Sequence, residues 1–466
     1  MTIQRRAAAD NAAARVSFWR GLRLKPNQTE NTMEDTIYAP SSAIGGAIAV
    51  IRVSGADAKR TRKLLDSDPV KRPRELVYAR LRCCGELIDE CMAVYFPAPA
   101  SYTGEDMVEL SVHGGMQTVQ RVLGALATLE FRPAQPGEFT KRAFLNGKMD
   151  LSAAEAVMDV INADAEQSLK SALAQLQGSV KREIVSVESL LTDALSGIDA
   201  AIDYPEEAEA ETTEALPASL SAAIARAEAL IALARRGRVL RDGLKVAIVG
   251  RPNVGKSSLM NALFGSERAI VTASAGTTRD VIDEKVSMDG VPVRLIDTAG
   301  IREANDEAER IGVDRARAAL RDADVVCLVL DASAPLTAQD EALLTQTQAG
   351  TRIVVLNKSD LPQACASVGD AIHVSAKTGE GLRALQDAIL ALAAPARADG
   401  SIITNERHIR ALELALHALR DAAAASELDC AATDVKNALH HLGSITGADV
   451  DAAVIDRIFE RFCVGK

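Results

Sequence analysis

The stretch "KVAIVGRPNVGKSSLMNALFG", starting at Lys245, constrains the fold more than any other. An apolar run gives way to a glycine-bounded loop and then to helical periodicity, so it reads as strand, loop, helix. Gly250 to Ser257 match G-x-x-x-x-G-K-S. In such a loop the backbone N–H groups and the helix N-terminus cradle phosphates; Lys256 can reach the outer ones and Ser257 can bind Mg²⁺. A strand that feeds such a loop belongs in a parallel α/β sheet. The segment from Lys245 to about Ala393 alternates strand-like and helix-like runs, as that sheet requires.

Three further motifs follow in order. "DTAG" (Asp297, Thr298, Ala299, Gly300) ends the apolar run "VPVRLI", which puts a carboxylate near the metal and a backbone N–H near the terminal phosphate. "NKSD" follows "RIVVL", supplying Asn357, Lys358 and Asp360. The Asp360 carboxylate can accept both the ring N–H and the exocyclic amine of guanine, whereas adenine offers no such pair. "SAK" (Ser375, Ala376, Lys377) supplies a second loop for the base. Together the motifs predict a guanine-nucleotide switch that binds GTP, with Asn253, Val254, Gly255, Lys256, Ser257 and Ser258 around the phosphates.

Two details depart from the commonest switch. Ile301 follows "DTAG" and cannot orient water as a glutamine would. Glu303, Glu307 and Glu309 lie just beyond it, each readable as a solvated helix charge or as a catalytic group. The loop "VTASAGTTRD" is rich in oxygens, from Thr272 through Ala273, Ser274, Ala275, Gly276 and Thr277 to Thr278. Thr278 can reach Mg²⁺, and with Asn253 the loop could hold a monovalent cation that neutralises transition-state charge.

The remainder of the 466 residues surrounds this unit. Before it, Thr36 to Met149 mixes strand-like runs ("GAIAVIRVS", "CMAVYFP", "MVELSVHG") with helical ones, and from Leu151 the period becomes helical. "DYPEEAEAETTEALP" reads as an exposed acidic loop, because it combines Pro with a run of acids. After Pro395 the chain is helical again, so the α/β unit reads as an insertion in a helical domain. The expected boundaries are 1–33, 34–150, 151–243, 244–394 and 395–466. Residues 1–33 are Arg-rich and acid-poor, either a disordered extension or a leader. A net charge of −11 removes any global attraction to nucleic acid. No apolar run approaches the ~20 residues of a membrane span, and the expected location is cytoplasmic, or mitochondrial if the leader is a transit peptide. Seven scattered cysteines without C-x-x-C spacing read as reduced thiols, most of them small core residues.

"AGTTRD", "DTAGIRE" with "ERIG", the terminal "FCVGK" and, earlier, "SYTGEDMVELSVHGG" and "RPAQPGEFTKRAFLNGKMDL" resemble the MnmE (TrmE) family of tRNA-modification GTPases, from about Glu34 to Lys466. The resemblance implies an N-terminal folate-binding α/β domain that dimerises, a two-part helical domain, and an inserted Ras-like P-loop G domain. It implies a homodimer whose G domains pair in a potassium-dependent way, and a flavin-dependent partner (MnmG, or GidA) in a heterotetramer. The pair would modify C5 of the wobble uridine of certain tRNAs with a carboxymethylaminomethyl-type group, using 5-formyltetrahydrofolate or a related tetrahydrofolate. By the same resemblance Asn253, Thr272, Ser274 and Thr277 hold K⁺, Ser257 and Thr278 hold Mg²⁺, and Glu309 serves hydrolysis. Arg52, Glu109, Lys148 and Lys466 would hold folate, and Cys463 sits beside it as a thiol of the modification site. The first loop departs from the family's "PPGRG": here it reads "APSSAIGG".

Two rivals remain. An Era-like GTPase of ribosome assembly would need an RNA-binding module, and no basic G-x-x-G unit follows; the basic cluster "ARRGRVLRDGLK" reads as a hinge. A lipid-anchored switch would use Cys463 for a prenyl group, but Gly465 and Lys466 stand where an aliphatic and a permissive residue are needed.

Overall fold

The computed structural model describes residues 35–265, 269–271, 283–297, 323–348, 351–365, 368–398 and 403–466. They form two compact units. One runs through Met158 and includes Leu176–Thr192 and Val435–Lys466; the other contains Asp159–Gln175 and Asp193–Asp434.

The first unit is built on a six-stranded sheet: β1 (Ile37–Pro40), β2 (Ile48–Ser54), β3 (Val77–Cys83), β4 (Glu86–Phe96), β5 (Met107–His113) and β6 (Arg132–Pro133). The order is β3-β4-β5-β2-β1-β6. Alternation selects the buried face: Ala49, Ile51 and Val53 of β2 point inward, with Val108, Leu110 and Val112 of β5. Helix α1 (Met116–Ala127) buries Val119, Val122, Leu123 and Leu126, one face at helical spacing. Helices α2 (Glu138–Leu145) and α3 (Leu151–Ile161) follow. The chain's last elements return to this unit. Phe459 and Phe462 pack with Leu151 and Ala154 in one apolar cluster that also takes in Phe144.

The second unit includes α4 (Glu166–Leu176), and α5 (Ser179–Asp203) joins the two units along the chain. It then contains α6 (Pro205–Asp242), β7 (Leu244–Val249), α7 (Lys256–Phe264), β8 (Ala269–Val271), β9 (Asp283–Met288), β10 (Val291–Asp297) and β11 (Val325–Asp331). Helix α8 (Ala338–Gln346), β12 (Arg352–Asn357), β13 (Ile372–Val374), α9 (Leu382–Ala398) and α10 (Glu406–Ala424) complete it. Helices α11 (Leu428–Thr446) and α12 (Ala452–Phe459) end the chain. The sheet order is β13-β12-β11-β7-β10-β9-β8. Strands β12, β11, β7 and β10 are parallel neighbours of one another, and β9 turns antiparallel. Every residue of β11 is buried, as a strand covered on both faces must be. The fold class expected from the sequence is the one observed.

One expectation is corrected. "DYPEEAEAETTEALP" is not a loop: from Pro205 it is the start of α6, a helix of 38 residues with Pro205 at its first position and Pro217 inside. Proline at the first helical position has its φ preset and loses no helical hydrogen bond. The Glu- and Ala-rich run behind it is strong helix former, so the two proved compatible with one helix.

Within α6, Glu214–Val239 is long and apolar enough to cross a membrane by length and composition. Its apolar residues Leu220, Ala223, Ala227, Leu230 and Ala234 are buried along one face. Its charges pair with α10: Arg235 with Glu413 at 2.6 Å and Glu228 with Arg420 at 2.6 Å. That is the pattern of a helix packed on another helix. Two residues of the basic cluster at its end are likewise paired, Arg238 with Asp324 at 2.8 Å and Arg241 with Asp159 at 3.0 Å.

Candidate functional site

The parallel strands of the second unit deliver their carboxyl ends to one edge, where open α/β sheets bind ligands. β7 ends at Val249 and leads into the loop that starts α7; β10 ends at Asp297 and β12 at Asn357. Three motifs widely separated in sequence thus meet at one edge.

The loop has the backbone that phosphate binding needs. Asn253 is left-handed (φ +66°) and exposed, and Gly255 caps α7 at φ +93°. A Cβ on Gly255 would come within 2.3 Å of the Asn357 amide nitrogen, so only glycine lets the loop approach β12 this closely. Val254 is buried and anchors the loop, while Ser257 and Ser258 are exposed on the first turn of α7. Lys256 is 8% exposed and donates from Nζ to the carbonyls of Gly250 and Arg251, both at 2.9 Å. Its ammonium therefore lies in the curl of the loop, where an outer phosphate needs a cation.

The base side is held by buried polar bonds. Asn357, 2% exposed, donates to the Val254 carbonyl at 2.8 Å and accepts from the Ala376 N–H at 3.1 Å, tying the two loops to β12. The buried Ser375 hydroxyl donates to Asp360 at 2.7 Å and accepts from the Thr378 N–H at 3.1 Å. The Asp360 carboxylate is thereby fixed yet exposed, and Lys377 of the second base loop is exposed as well. A carboxylate oriented by a buried hydroxyl suits a base that offers two adjacent donors.

Sequence reasoning missed the group behind this site. Asp331, at the end of β11 and 9% exposed, accepts from Lys358 Nζ at 2.6 Å and from the Ser333 hydroxyl at 2.6 Å. Arg251 of the phosphate loop stands 4.0 Å from Asp331 and 3.1 Å from Asp340 of α8. Burial alone would push the Asp331 carboxyl up, but the bonds from Lys358 and Ser333 outweigh it and hold it below the ordinary aspartate range. Asp331 thus orients Lys358 of "NKSD" and faces the phosphate loop. The signal was available: an aspartate ends the apolar strand "VVCLVLD".

The side chain of Asp297 and residues Thr272, Ala273, Ser274, Ala275, Gly276, Thr277, Thr278, Thr298, Ala299, Gly300 and Glu309 lie outside what the structure describes.

A second constellation occupies the first unit. Arg52 of β2 faces Glu109 of the neighbouring β5, with Nε and Nη2 at 2.9 and 2.8 Å from Oε1. The guanidinium lies 4.8 Å from the Tyr102 ring centroid and 5.6 Å from that of Phe139. Both bonds land on Oε1. Lys148 donates to the Pro99 carbonyl at 3.0 Å. The C-terminal tail docks on the strand beside Arg52. Ala39 of β1 is the register partner of Arg52. Gly465 (φ +96°) packs so tightly on Pro40, the next residue, that a Cβ would fall 2.0 Å from the Pro40 carbonyl oxygen. Val464 bridges to Pro136, and the Cys463 carbonyl accepts from the Gly137 N–H at 3.3 Å. Lys466 closes a turn through its N–H to the same carbonyl at 3.4 Å. Among the sequence-selected residues, the structure joins Arg52 with Glu109 and brings the tail to the adjoining strand.

The cysteines are not mostly core residues. Only Cys91 and Cys327 are buried; Cys84, Cys430 and Cys463 are exposed and the other two are intermediate. Burial pushes the Cys91 and Cys327 thiols up to about 12, which leaves them inert. Cys463 presents its thiol to solvent on a tail held by backbone bonds, so packing does not account for it.

The family model described as "MnmE helical domain" matches residues 151–463, and that described as "GTP-binding protein TrmE N-terminus" matches residues 36–148. Among curated proteins, a tRNA modification GTPase MnmE of Listeria innocua is 42% identical over 454 residues, covering 93% of this chain and 99% of the relative. One from Streptococcus thermophilus is 42% identical over 455 residues, covering 93% and 98%. Among solved structures, the G domain of the T. maritima FeoB iron transporter is 28% identical, covering 32% of this chain and 98% of that one, with a TM-score of 0.23. With its phosphate loop, base loops and family matches running from residue 36 to 463, the chain belongs to the MnmE family of tRNA modification GTPases.

Proposed function

We propose that this GTPase modifies C5 of wobble uridines with a folate-derived one-carbon unit, in concert with a flavin-dependent partner. The observation that carries this reading is the docking of the exposed Cys463 tail on the strand beside Arg52. A pterin offers a ring N–H and an amine to a carboxylate, and Arg52 fixes the Glu109 carboxylate through Oε1. Cations suit the glutamyl tail of a folate, and Lys148 and Lys466 are the chain's candidates for it. The donor set therefore fits a tetrahydrofolate, which would supply the one-carbon unit. The chain's own residues orient it, and Cys463 stands where a thiol can assist the transfer. The protein acts in the cytoplasm as a homodimer on tRNA.

In the G domain, Lys256 and the loop amides bind the phosphates, Asp360 selects guanine, and Ser257 with Thr278 would hold Mg²⁺. Asn253, Thr272, Ser274 and Thr277 would hold potassium, which would supply positive charge where two G domains pair, and Glu309 serves hydrolysis. The open, left-handed Asn253 on the loop rim is compatible with a cation there. Hydrolysis is therefore expected to run faster in potassium than in sodium at equal ionic strength; equal rates would remove the cation. For the function as a whole the test is mass spectrometry of wobble uridines in cells lacking this protein. Loss of the C5 modification is expected, and unchanged uridines would overturn the reading.

A further inference from the structure

The hairpin joining β3 to β4 is closed by two residues. Cys83 pairs with Glu86, and Cys84 and Gly85 between them have φ of +53° and +85°. Two consecutive positive φ values make this a mirror-image turn of the kind that matches strand twist, and its first position favours Asn, Asp or Gly. A cysteine there is out of keeping with the turn, since it lacks the short amide or carboxylate oxygen with which Asn and Asp bond their own backbone in the left-handed region. The consequence is geometric. Cys83 and Cys84 stand side by side with Sγ atoms 3.7 Å apart, Cys84 fully exposed and Cys83 half-buried. Among the described residues nothing lies within 4 Å of a Cβ placed on Gly85. The hairpin lies at the edge of the sheet opposite β1, where the tail docks, and so belongs to neither constellation described above.

We propose that Cys83 and Cys84 form a two-thiol chelating site for a soft, thiophilic ion of the copper(I) or trivalent arsenic class. At a metal–sulfur distance of about 2.3 Å, two sulfurs 3.7 Å apart subtend an angle of about 107°, close to tetrahedral. Both thiols can thus bind one centre without moving the backbone. Soft thiolates select soft ions, and the bent angle leaves room on the exposed side for the further ligand that pyramidal trivalent arsenic or three-coordinate copper(I) takes. Both cysteines ligate as thiolates, so binding releases their thiol protons. With copper(I), two S–H bonds break, two Cu–S bonds form and two protons leave to solvent. With phenylarsine oxide, two S–H bonds and the As–O bond are exchanged for two As–S bonds and one water, arsenic staying trivalent. Neither step needs an oxidant.

The full-length protein is incubated with phenylarsine oxide in excess 2-mercaptoethanol and its intact mass is measured. One adduct per chain is expected, stable to the monothiol and removed by dithiothreitol. Cys83→Ser and Cys84→Asn should each take the count from one to none, while Cys430→Ser keeps it. Cys84→Asn places a residue suited to the turn, so its Tm should stay level or rise, which separates loss of binding from loss of fold. Absence of an adduct on the native chain, or an adduct that survives Cys84→Asn, would overturn the site. So would a lowered Tm for Cys84→Asn, which would make the cysteine a structural part of the turn. Copper(I) retained by the native chain against a coloured chelator, and released by Cys84→Asn, would extend the result from the probe to the metal.

Discussion

The nucleotide site and the tail constellation are assembled in opposite ways. At the nucleotide site each functional group sits at the end of its own strand, and the parallel sheet brings the ends together: Gly250 after β7, Asp297 at the end of β10, Asn357 at the end of β12. In the tail constellation, residues more than 400 positions apart meet, Gly465 against Pro40, through a return of the chain that no local pattern announces. A motif is legible where backbone geometry does the chemistry, because short spacings then fix the loop. It is illegible where tertiary packing of distant segments does it. The two regions also differ in how they hold charge: Asp360 is exposed for a ligand, whereas Glu138 of the first unit is spent on internal ion pairs.

The largest effect is expected at the nucleotide site. Asp360→Asn should exchange guanosine for xanthosine triphosphate, because Asn can donate to the C2 oxygen that replaces the amine. A site that loses one partner of a bidentate pair discriminates by roughly 10⁴-fold. Ser375 can still donate to the Asn oxygen, so the loop should stay in place. Competition of the two nucleotides for the variant checks this, and undiminished preference for GTP would remove Asp360 from base recognition.

Next comes the first unit's internal pair. Glu138, 7% exposed, accepts from Arg132 at 2.7 Å, from Arg142 at 3.0 Å and from the Gln135 N–H at 2.7 Å. Burial pushes its carboxyl up, but these bonds outweigh burial and hold it below the ordinary glutamate range. A depressed folded-state value means the stability is present above the unfolded-state pKa and is lost as pH falls through the folded one. Glu138→Gln removes a carboxylate shared by the buried Arg142 and the half-buried Arg132, which keep Glu105 and Asp35 as partners, and should cost about 2 kcal/mol at neutral pH. The gap between variant and parent should narrow in acid, measured by denaturant unfolding of the first unit's transition. A gap constant from pH 7 to pH 3 would show that the pair is not what titrates.

The smallest effect should come from Asp331→Asn. The strand end keeps its fold, but Lys358 loses its ionic partner and Arg251 one of its two nearby carboxylates. A charge-assisted hydrogen bond lost without cavity formation amounts to about 1 kcal/mol, or roughly fivefold in GTP affinity. Binding of a fluorescent GTP analogue by titration would show it, and an unchanged Kd would make Asp331 a structural residue of β11.

The fold class, the phosphate loop and the base loops were legible because each rests on local spacing. Asp331, Arg251 and Asp340 were not, since their grouping depends on β11, the phosphate loop and α8 meeting at one sheet edge. The acidic stretch after Tyr204 was misread because proline and clustered acids signal a turn as readily as a helix start, and only packing along α6 decides. Arg52 and Glu109 became a pair once register placed β2 beside β5. The cysteines misled in a similar way: a thiol's burial is set by its neighbours in space, and Cys84 and Cys463 proved exposed.

The claim that nucleotide chemistry and uridine chemistry reside in separate constellations is tested most directly on Cys463→Ser. One preparation would be assayed for GTP turnover in vitro, and cells carrying the same variant for wobble-uridine modification by mass spectrometry. The account predicts a GTP turnover equal to the parent's, since Cys463 belongs to the first unit and the phosphate loop to the second, together with loss of most C5 modification. Fully modified uridines in those cells would contradict it, and so would a GTPase rate that falls with the thiol.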